Sequence, residues 1–293
     1  MADATITRTG DTLTVSVGST VVAEYHATSD VERVNTPKPF LHPLRTLGGT
    51  VVTGFAPDDH PWHHGLQFAF PRVGDHNLWG GGTYLSPDEG YRVLDDQGSI
   101  RHDTWGVVAD DDGTARFEHE LTWLGNGGEV LLTEHRAFAL SVRHGLGWTL
   151  DTTSTLTNAT TGPLALATPA QRGRPDGGYG GLFLRLGEDV QADRLIGAHG
   201  DIASSGSESR TLVVQAHDAA GQPLTLGLSF VEGATPGARK WLYRFAPEPF
   251  SAIGWAGAYD DGFELAPGES LTFGHRLAVM DGVVPAEAVE ALL

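Results

Sequence analysis

The segment His60-Pro61-Trp62-His63-His64-Gly65 packs three of the chain's thirteen histidines into five residues, around a tryptophan and directly after Asp58-Asp59. Imidazole is the side chain whose ordinary pKa lies nearest neutrality, so clustered histidines point to proton transfer or metal ligation. A tryptophan among them offers a flat apolar face with one N–H donor, suited to stacking a ring-shaped ligand. A second polar and aromatic run, Asp75-His76-Asn77-Leu78-Trp79-Gly80-Gly81-Gly82-Thr83-Tyr84, follows closely. Residues 40–84 therefore read as the active face.

His60, His63 and His64 are the candidate catalytic groups. Pro61 opposes a helix that would align His60 with His64, so the segment reads as a loop entering the strand Leu66-Gln67-Phe68-Ala69-Phe70. Loops on a rigid sheet are where binding residues gather. The three histidines could act as acids and bases, as structural polar groups, or as ligands of a divalent metal. A metal would need carboxylate help, because imidazole suits several ions.

Glu134 and Arg136 project from one side of a strand together with Val130, Leu132 and Phe138. A charge pair on an apolar face is costly unless it is mutually satisfied or used on a ligand. Two readings stay open: an internal salt bridge, or a Glu134 base or hydroxyl acceptor with Arg136 as orienter or clamp. Trp62, Trp79, Tyr84, Tyr179 and Trp255 are candidate stacking platforms, and each is equally a candidate core residue. Gly80-Gly81-Gly82 favours Trp79, since glycine permits close backbone approach. His42, Arg45 and His76 complete the candidate substrate-binding set. Arg172 and Arg174 lie in a Gly/Pro-rich stretch that reads as a flexible loop, more solvated than functional.

The elements that must position these groups are β nearly throughout. Thr5 to Arg8 and Thr12 to Val17 alternate at period two around Thr9-Gly10-Asp11. Ala115 to Trp123, Glu129 to Leu140, Leu146 to Asn158, Thr211 to His217, Leu224 to Val231 and Gly274 to Val279 read as further strands. Asp110-Asp111-Asp112-Gly113 reads as a hairpin turn, and Asp201 to Arg210 as a loop. Only Pro285 to Leu293 reads as helical, and such a terminal helix is expected to cap a sheet edge. With no internal repeat or linker, the chain is expected to form one all-β domain over 1–293, two large antiparallel sheets packed face to face.

Composition excludes whole classes. No cysteine is present, so disulfides and thiolate chemistry are ruled out. A net charge of −18 argues against nucleic acid, which normally needs a basic stripe. No apolar run approaches a membrane span, and Met1 to Thr5 lacks the basic start and apolar core of a signal peptide, so a cytoplasmic protein is expected. No P-loop, dinucleotide fingerprint or nucleophile elbow occurs, so no nucleotide cofactor is expected.

Trp148 to Asn158, followed by Gly162-Pro163-Leu164, resembles the central strand pair of galactose-mutarotase-like proteins, and Leu265-Ala266-Pro267-Gly268-Glu269-Ser270-Leu271 resembles the turn before their last long strand. The resemblance implies a β-supersandwich. A closer one rests on Phe40-Leu41-His42-Pro43-Leu44-Arg45-Thr46, Asp59 to Leu66, Glu134-His135-Arg136, Gly178 to Arg185 and Gly254-Trp255. These motifs are similar to a bacterial family labelled "methane oxygenase PmoA-like". A membrane methane oxygenase subunit would need transmembrane helices that this chain lacks, so methane oxidation is rejected.

What that resemblance implies is carbohydrate catabolism, in functional association with a sugar dehydrogenase. True mutarotases pair a histidine acid with a glutamate base, but Arg244 to Phe250 lacks the recognisable context for the base, Glu248 being the available carboxylate. Ordinary mutarotation is therefore not expected. The expectation is an enzyme acting on a sugar or keto-sugar, with a histidine base driving β-elimination or epimerisation beside a ketone. The alternatives are a non-catalytic carbohydrate-binding or sensing protein, and a divalent-metal enzyme using the histidine cluster.

Overall fold

Asp112 and Gly113 both take positive φ, 48° and 73°, which makes the tight reversal between the strands Ser99–Asp111 and Thr114–Leu124. Two-residue turns of this hand match the right-handed twist of the strands they join. Gly10 (φ 60°) plays a similar part between Ala4–Thr9 and Thr12–Val17. The computed structural model describes residues 3–143, 145–202, 204–231, 233–234, 236–245 and 250–293.

Long alternating segments form the centre. In Gly147–Asn158 the residues Thr152, Ser154, Leu156 and Asn158 are buried while Thr153, Thr155 and Thr157 are half-buried on the other face. There Thr155 and Thr157 share hydroxyl hydrogen bonds with Thr272 (2.9 Å) and Ser270 (2.8 Å) of the neighbouring strand Ser270–Asp281. Such cross-strand pairs fix the register.

Among the described residues two nine-stranded antiparallel sheets result. The first runs, in spatial order, Ala4–Thr9, Thr12–Val17, Thr20–His26, Phe40–Leu44, Leu66–Ala69, Gly181–Arg185, Ala252–Trp255, Lys240–Arg244 and Ser207–Glu208. The second runs Gly200–Asp201, Gln191–Gly197, Thr211–His217, Pro223–Phe230, Ser270–Asp281, Gly147–Asn158, Val130–Arg143, Thr114–Leu124 and Ser99–Asp111. Their inner faces share one core. Phe68 of the first sheet packs on Trp123 and Phe273 of the second, and Trp255 donates its ring N–H to the Ser229 carbonyl at 3.0 Å. The molecule is an all-β sandwich, as its periodicity implies.

Three details differ from the sequence reading. The helix spans only Ala286–Glu290 and lies on the outer face of the second sheet, where Val289 meets Val213, Ala278 and Met280, rather than over an edge. Gly227 makes that seat, since a Cβ there would collide with Val289. Within 201–210, which the composition marks as loop, Asp201 and Ser207–Glu208 join two-residue strands at the outer edges of the sheets, too short to show any period. Gly181–Arg185 and Ala252–Trp255 are strands buried on both faces, and so they lack the alternation that would mark them. No described helix is long and apolar enough to cross a membrane.

Candidate functional site

The loop before Leu66–Ala69 is folded by its own backbone. The N–H groups of His60, His63 and Ala56 donate to the carbonyls of Pro57, His60 and His63 at 3.0, 2.9 and 2.8 Å. Gly65 closes the turn with φ 53°, and a Cβ there would collide with the Leu41 carbonyl oxygen. These bonds set the neighbouring rings His63 and His64 in opposite directions.

The second loop is organised by Asn77, whose side-chain oxygen accepts from the N–H groups of Trp79 and Gly80, both at 2.9 Å. Lys38 ties the two loops together. Its buried Nζ shares its hydrogens among the carbonyls of Trp62 (3.1 Å), Trp79 (2.9 Å), Asn35 and Thr36 (both 3.2 Å). Burial pushes this lysine well below the ordinary ammonium range, while the four carbonyls supply its hydrogen-bond acceptors. Trp62 then lies flat on the Gly80-Gly81 backbone, where a Cβ on Gly81 would stand 2.7 Å from its ring.

A third wall comes from the turn Pro169–Arg172, capped by Thr168 and Gln171 and ended by Gly173 in the left-handed region (φ 83°). Gln171 also donates to the Ala258 and Asp260 carbonyls at 3.1 and 3.0 Å. The stretch expected to be a flexible loop is thus pinned, and it delivers Arg174 to the site rather than to solvent.

Together these segments enclose a cleft of about 420 Å³. His60, Trp62, His63, Trp79, Tyr179 and Arg174 line it, with Tyr91, Phe183, Leu242, Arg244 and Phe250 closing the remaining sides. The rings of His60 and His63 stack at 4.8 Å with planes 17° apart. Phe250 covers His60 at 4.4 Å and Phe183 covers His63 at 4.7 Å. Across the cleft Arg174 Nε donates to the Tyr91 hydroxyl at 2.8 Å, which shares a 2.8 Å hydrogen bond with the Tyr179 hydroxyl. Tyr179 packs on Trp79 at 5.0 Å.

Behind the histidines stands an ion pair. Asp59 accepts from Arg185 Nη2 at 3.1 Å and from His60 Nδ1 at 2.7 Å. A carboxylate only accepts, so His60 carries its proton on Nδ1 and keeps a lone pair on Nε2. Arg185 Nη1 lies 3.5 Å from His63 Nδ1, and a guanidinium only donates, so His63 is placed in the opposite tautomer with its proton on Nε2.

Burial sets the electrostatics. It pushes the His60 pKa down, Asp59 partly opposing and the charges of Arg185 and Arg244 adding to the fall. His63 is held well below the ordinary value, first by burial and then by His60 and Arg185. Burial alone would raise Asp59, but the hydrogen bonds from His60 and Arg185 bring it below the usual carboxylate range. The site near neutral pH therefore holds two neutral imidazoles, one a base and one a donor.

The structure brings His60, His63, Trp62, Trp79 and Tyr179 to the cleft, but not the other candidates. His64 turns away between Phe40 and Phe55, donates from Nε2 to the Pro61 carbonyl at 3.2 Å, and leaves Nδ1 buried without a partner among the described residues. Burial drives its pKa to about 2.

Glu134 and Arg136 lie between the sheets, 1% and 2% exposed, in a bidentate pair at 2.6 and 2.8 Å, with Trp123 Nε1 donating to Glu134 at 2.7 Å. That is the internal salt bridge, and it corrects the placement of Glu134 as an assisting base. Trp255 is core, tilted against Trp241 and edge-on to His275. His42 is bound to Thr53 (2.9 Å), Arg45 to Glu24 (3.5 Å) and His76 to Glu129 (3.0 Å), all away from the cleft lining. Glu248 lies outside the described residues.

Sequence reasoning missed Tyr91, Arg244 and Phe250, which carry no motif, and set Arg174 aside. Arg185 ends a strand that is buried throughout, so no alternation distinguishes it from its apolar neighbours. Among the described residues no group of three or more His, Asp or Glu side chains is arranged to hold a metal ion.

A search of curated proteins finds no match. Solved structures that match include a polysaccharide lyase, 12% identical with a TM-score of 0.34 over 96% of this chain and 33% of that one. The chain thus spans about a third of that protein's length. A family model matches residues 12–293, and the chain belongs to that family, a family of unknown function (DUF6807).

Proposed function

We propose that the cleft is the active site of an enzyme acting on a sugar or keto-sugar derivative by histidine general acid–base chemistry. The observation that carries the reading is the stacked pair His60 and His63 in opposite tautomers, fixed from behind by Asp59 and Arg185. The aromatic faces of Trp62, Trp79 and Tyr179 suit the apolar side of a sugar ring, and the hydroxyls and guanidinium opposite suit its polar edge.

In the step envisaged, His60 Nε2 takes a proton from a ring carbon beside a carbonyl, and the C–H electron pair moves into an enolate. His63 Nε2–H donates to the enolate oxygen, as a neutral imidazole can. Protonation of the opposite face of that carbon by water, with His60 passing its proton to solvent, gives the epimer. Departure of a substituent from the next carbon, protonated as it leaves, gives elimination. A ketone installed beforehand by a dehydrogenase provides the acidic C–H. Neutral His60 suits the abstraction, and its conjugate acid can give the proton up again.

The test is solvent deuterium exchange into a panel of keto-sugars, followed by proton NMR, with wild type and His60→Asn. Exchange or elimination by wild type that His60→Asn abolishes supports the reading. Sugar binding without exchange in any substrate, unchanged in His60→Asn, would make this a carbohydrate-binding protein instead.

A further inference from the structure

The chain carries 37 acidic residues against 19 lysines and arginines, yet among its described residues the cleft lining holds two arginines, two histidines and no aspartate or glutamate. Asp59, the carboxylate bonded to His60, stands behind the histidines and is occupied by His60 and Arg185. Among the described residues no carboxylate lines this concavity, and Arg174 gives its wall a local positive potential. The field of the outer surface is screened within about 8 Å at physiological salt and does not cancel it.

Arg174 is fixed for a purpose its own contacts do not exhaust. Its Nε is taken by the Tyr91 hydroxyl at 2.8 Å and its Nη1 reaches the Pro175 carbonyl at 3.4 Å, while Nη2 has no partner among the described residues. The guanidinium also lies 5.1 Å from the Tyr91 ring centroid, so its plane is held. With Nε and Nη1 engaged and the plane held, Nη2 is left to give a charge-assisted hydrogen bond, the kind a carboxylate oxygen accepts. Between Arg174 and His63 run the rings of Tyr91, Tyr179 and Trp79. Both arginines of the lining also weaken the rise that burial gives the Tyr91 phenol, which agrees with a positive field on that wall.

Resting on the sugar-enzyme reading above, we infer that the substrate is an acidic sugar whose carboxylate docks on Arg174, its ring lying on the Tyr179 and Trp79 wall and its reacting carbon turned toward His60. A neutral sugar would leave Arg174 Nη2 without an anionic partner. Discrimination then comes as much from that uncompensated cation as from the ion pair an acidic sugar forms.

The experiment is calorimetric titration of the full chain in a buffer without anionic components that compete for arginine, at neutral pH, with glucuronate and glucose as probes. It uses wild type, Arg174→Gln, Arg174→Lys and His60→Asn. We expect glucuronate to bind about tenfold or more tightly than glucose, the return on one charge-assisted pair. The preference should collapse in Arg174→Gln, survive in part in Arg174→Lys, and persist in His60→Asn. Equal binding of the two sugars, a preference retained in Arg174→Gln, or binding of neither would overturn the inference. Equal binding leaves the sugar reading standing. Preference for glucuronate without proton exchange in any keto-sugar upholds the acidic ligand and removes the catalysis.

Discussion

His60 and His63 face one another with ring centroids 4.8 Å apart and planes 17° from parallel. Two imidazolium charges at that separation would repel by about 3 kcal/mol at an effective dielectric of 20. The stack is neutral near pH 7 and can take up only one proton at a time, as it does in the catalytic step. Asp59, at 2.7 Å from His60 Nδ1, decides that His60 takes it.

Replacing His60 by Asn should lower proton exchange by about 100- to 10,000-fold, the usual worth of a positioned general base. Replacing His63 by Asn should cost about 100-fold or more by removing a donor to the developing oxyanion. The double variant should fall little below His60→Asn alone, since the two act in one step. Steady-state exchange rates on the three variants check this, and strictly multiplicative losses would separate the two roles.

Exchange requires neutral His60, whose pKa burial lowers from its ordinary value of 6.5. The rising limb of kcat/KM against pH should therefore lie below 6.5, with a plateau through neutrality. Asp59 raises the His60 pKa, so Asp59→Asn should move that limb to still lower pH. The plateau should drop as well, because an amide can donate as well as accept, so Nδ1 loses the acceptor-only partner that selects its tautomer. A limb moving upward in Asp59→Asn would contradict the assignment.

Burial places His64 and His119 at about 2 and His275 at about 3, all far below the unfolded value near 6.5. These groups stay neutral in the folded state while the unfolded chain takes up protons. Their contribution is intact above roughly pH 6.5 and is lost as the pH falls from there through the folded values, by about 1.4 kcal/mol per unit for each histidine. Melting temperature should thus fall steeply between about pH 6.5 and 5. His275→Leu should flatten the slope over that window, whatever it does to stability in mild alkali.

Glu134→Gln leaves Arg136 charged and buried, which typically costs about 3–5 kcal/mol. Urea unfolding should show that loss, while the exchange rate of the protein still folded stays near wild type. A large drop in rate without loss of stability would return Glu134 to the chemistry.

A methyl group on Gly81, at φ 68° and 2.7 Å from the Trp62 ring, must push that ring from its seat. Gly81→Ala should raise KM several-fold more than it lowers kcat, with a change in tryptophan emission on sugar binding. Unaltered KM would show that Trp62 takes no part in holding the ligand.

Much of this is legible in the chain. The half-buried strands announce themselves at period two, and Thr153, Thr155 and Thr157 mark an outer face by their spacing alone. Gly181–Arg185 does not, because a strand buried on both faces has no reason to alternate. The histidine loop is legible as a site, but the split between His63 and His64 is not. Adjacent residues are separated only by the hydrogen bonds of one turn, and Gly65 gives no sign of which way the rings point. The far wall is the least visible, since Tyr91, Arg174 and Phe250 come from three distant stretches and meet only on folding.

Lys38 grips the carbonyl oxygens of residues 62 and 79, not their side chains. Every residue type offers that same oxygen, so a change of side chain at either position leaves the grip in place. The lysine thereby separates the mounting of the cleft from its lining: the mount is written in the main chain, while the faces it carries can be exchanged one at a time. Related proteins could in this way turn to new ring shapes by replacing a tryptophan, without rebuilding the loops that hold it.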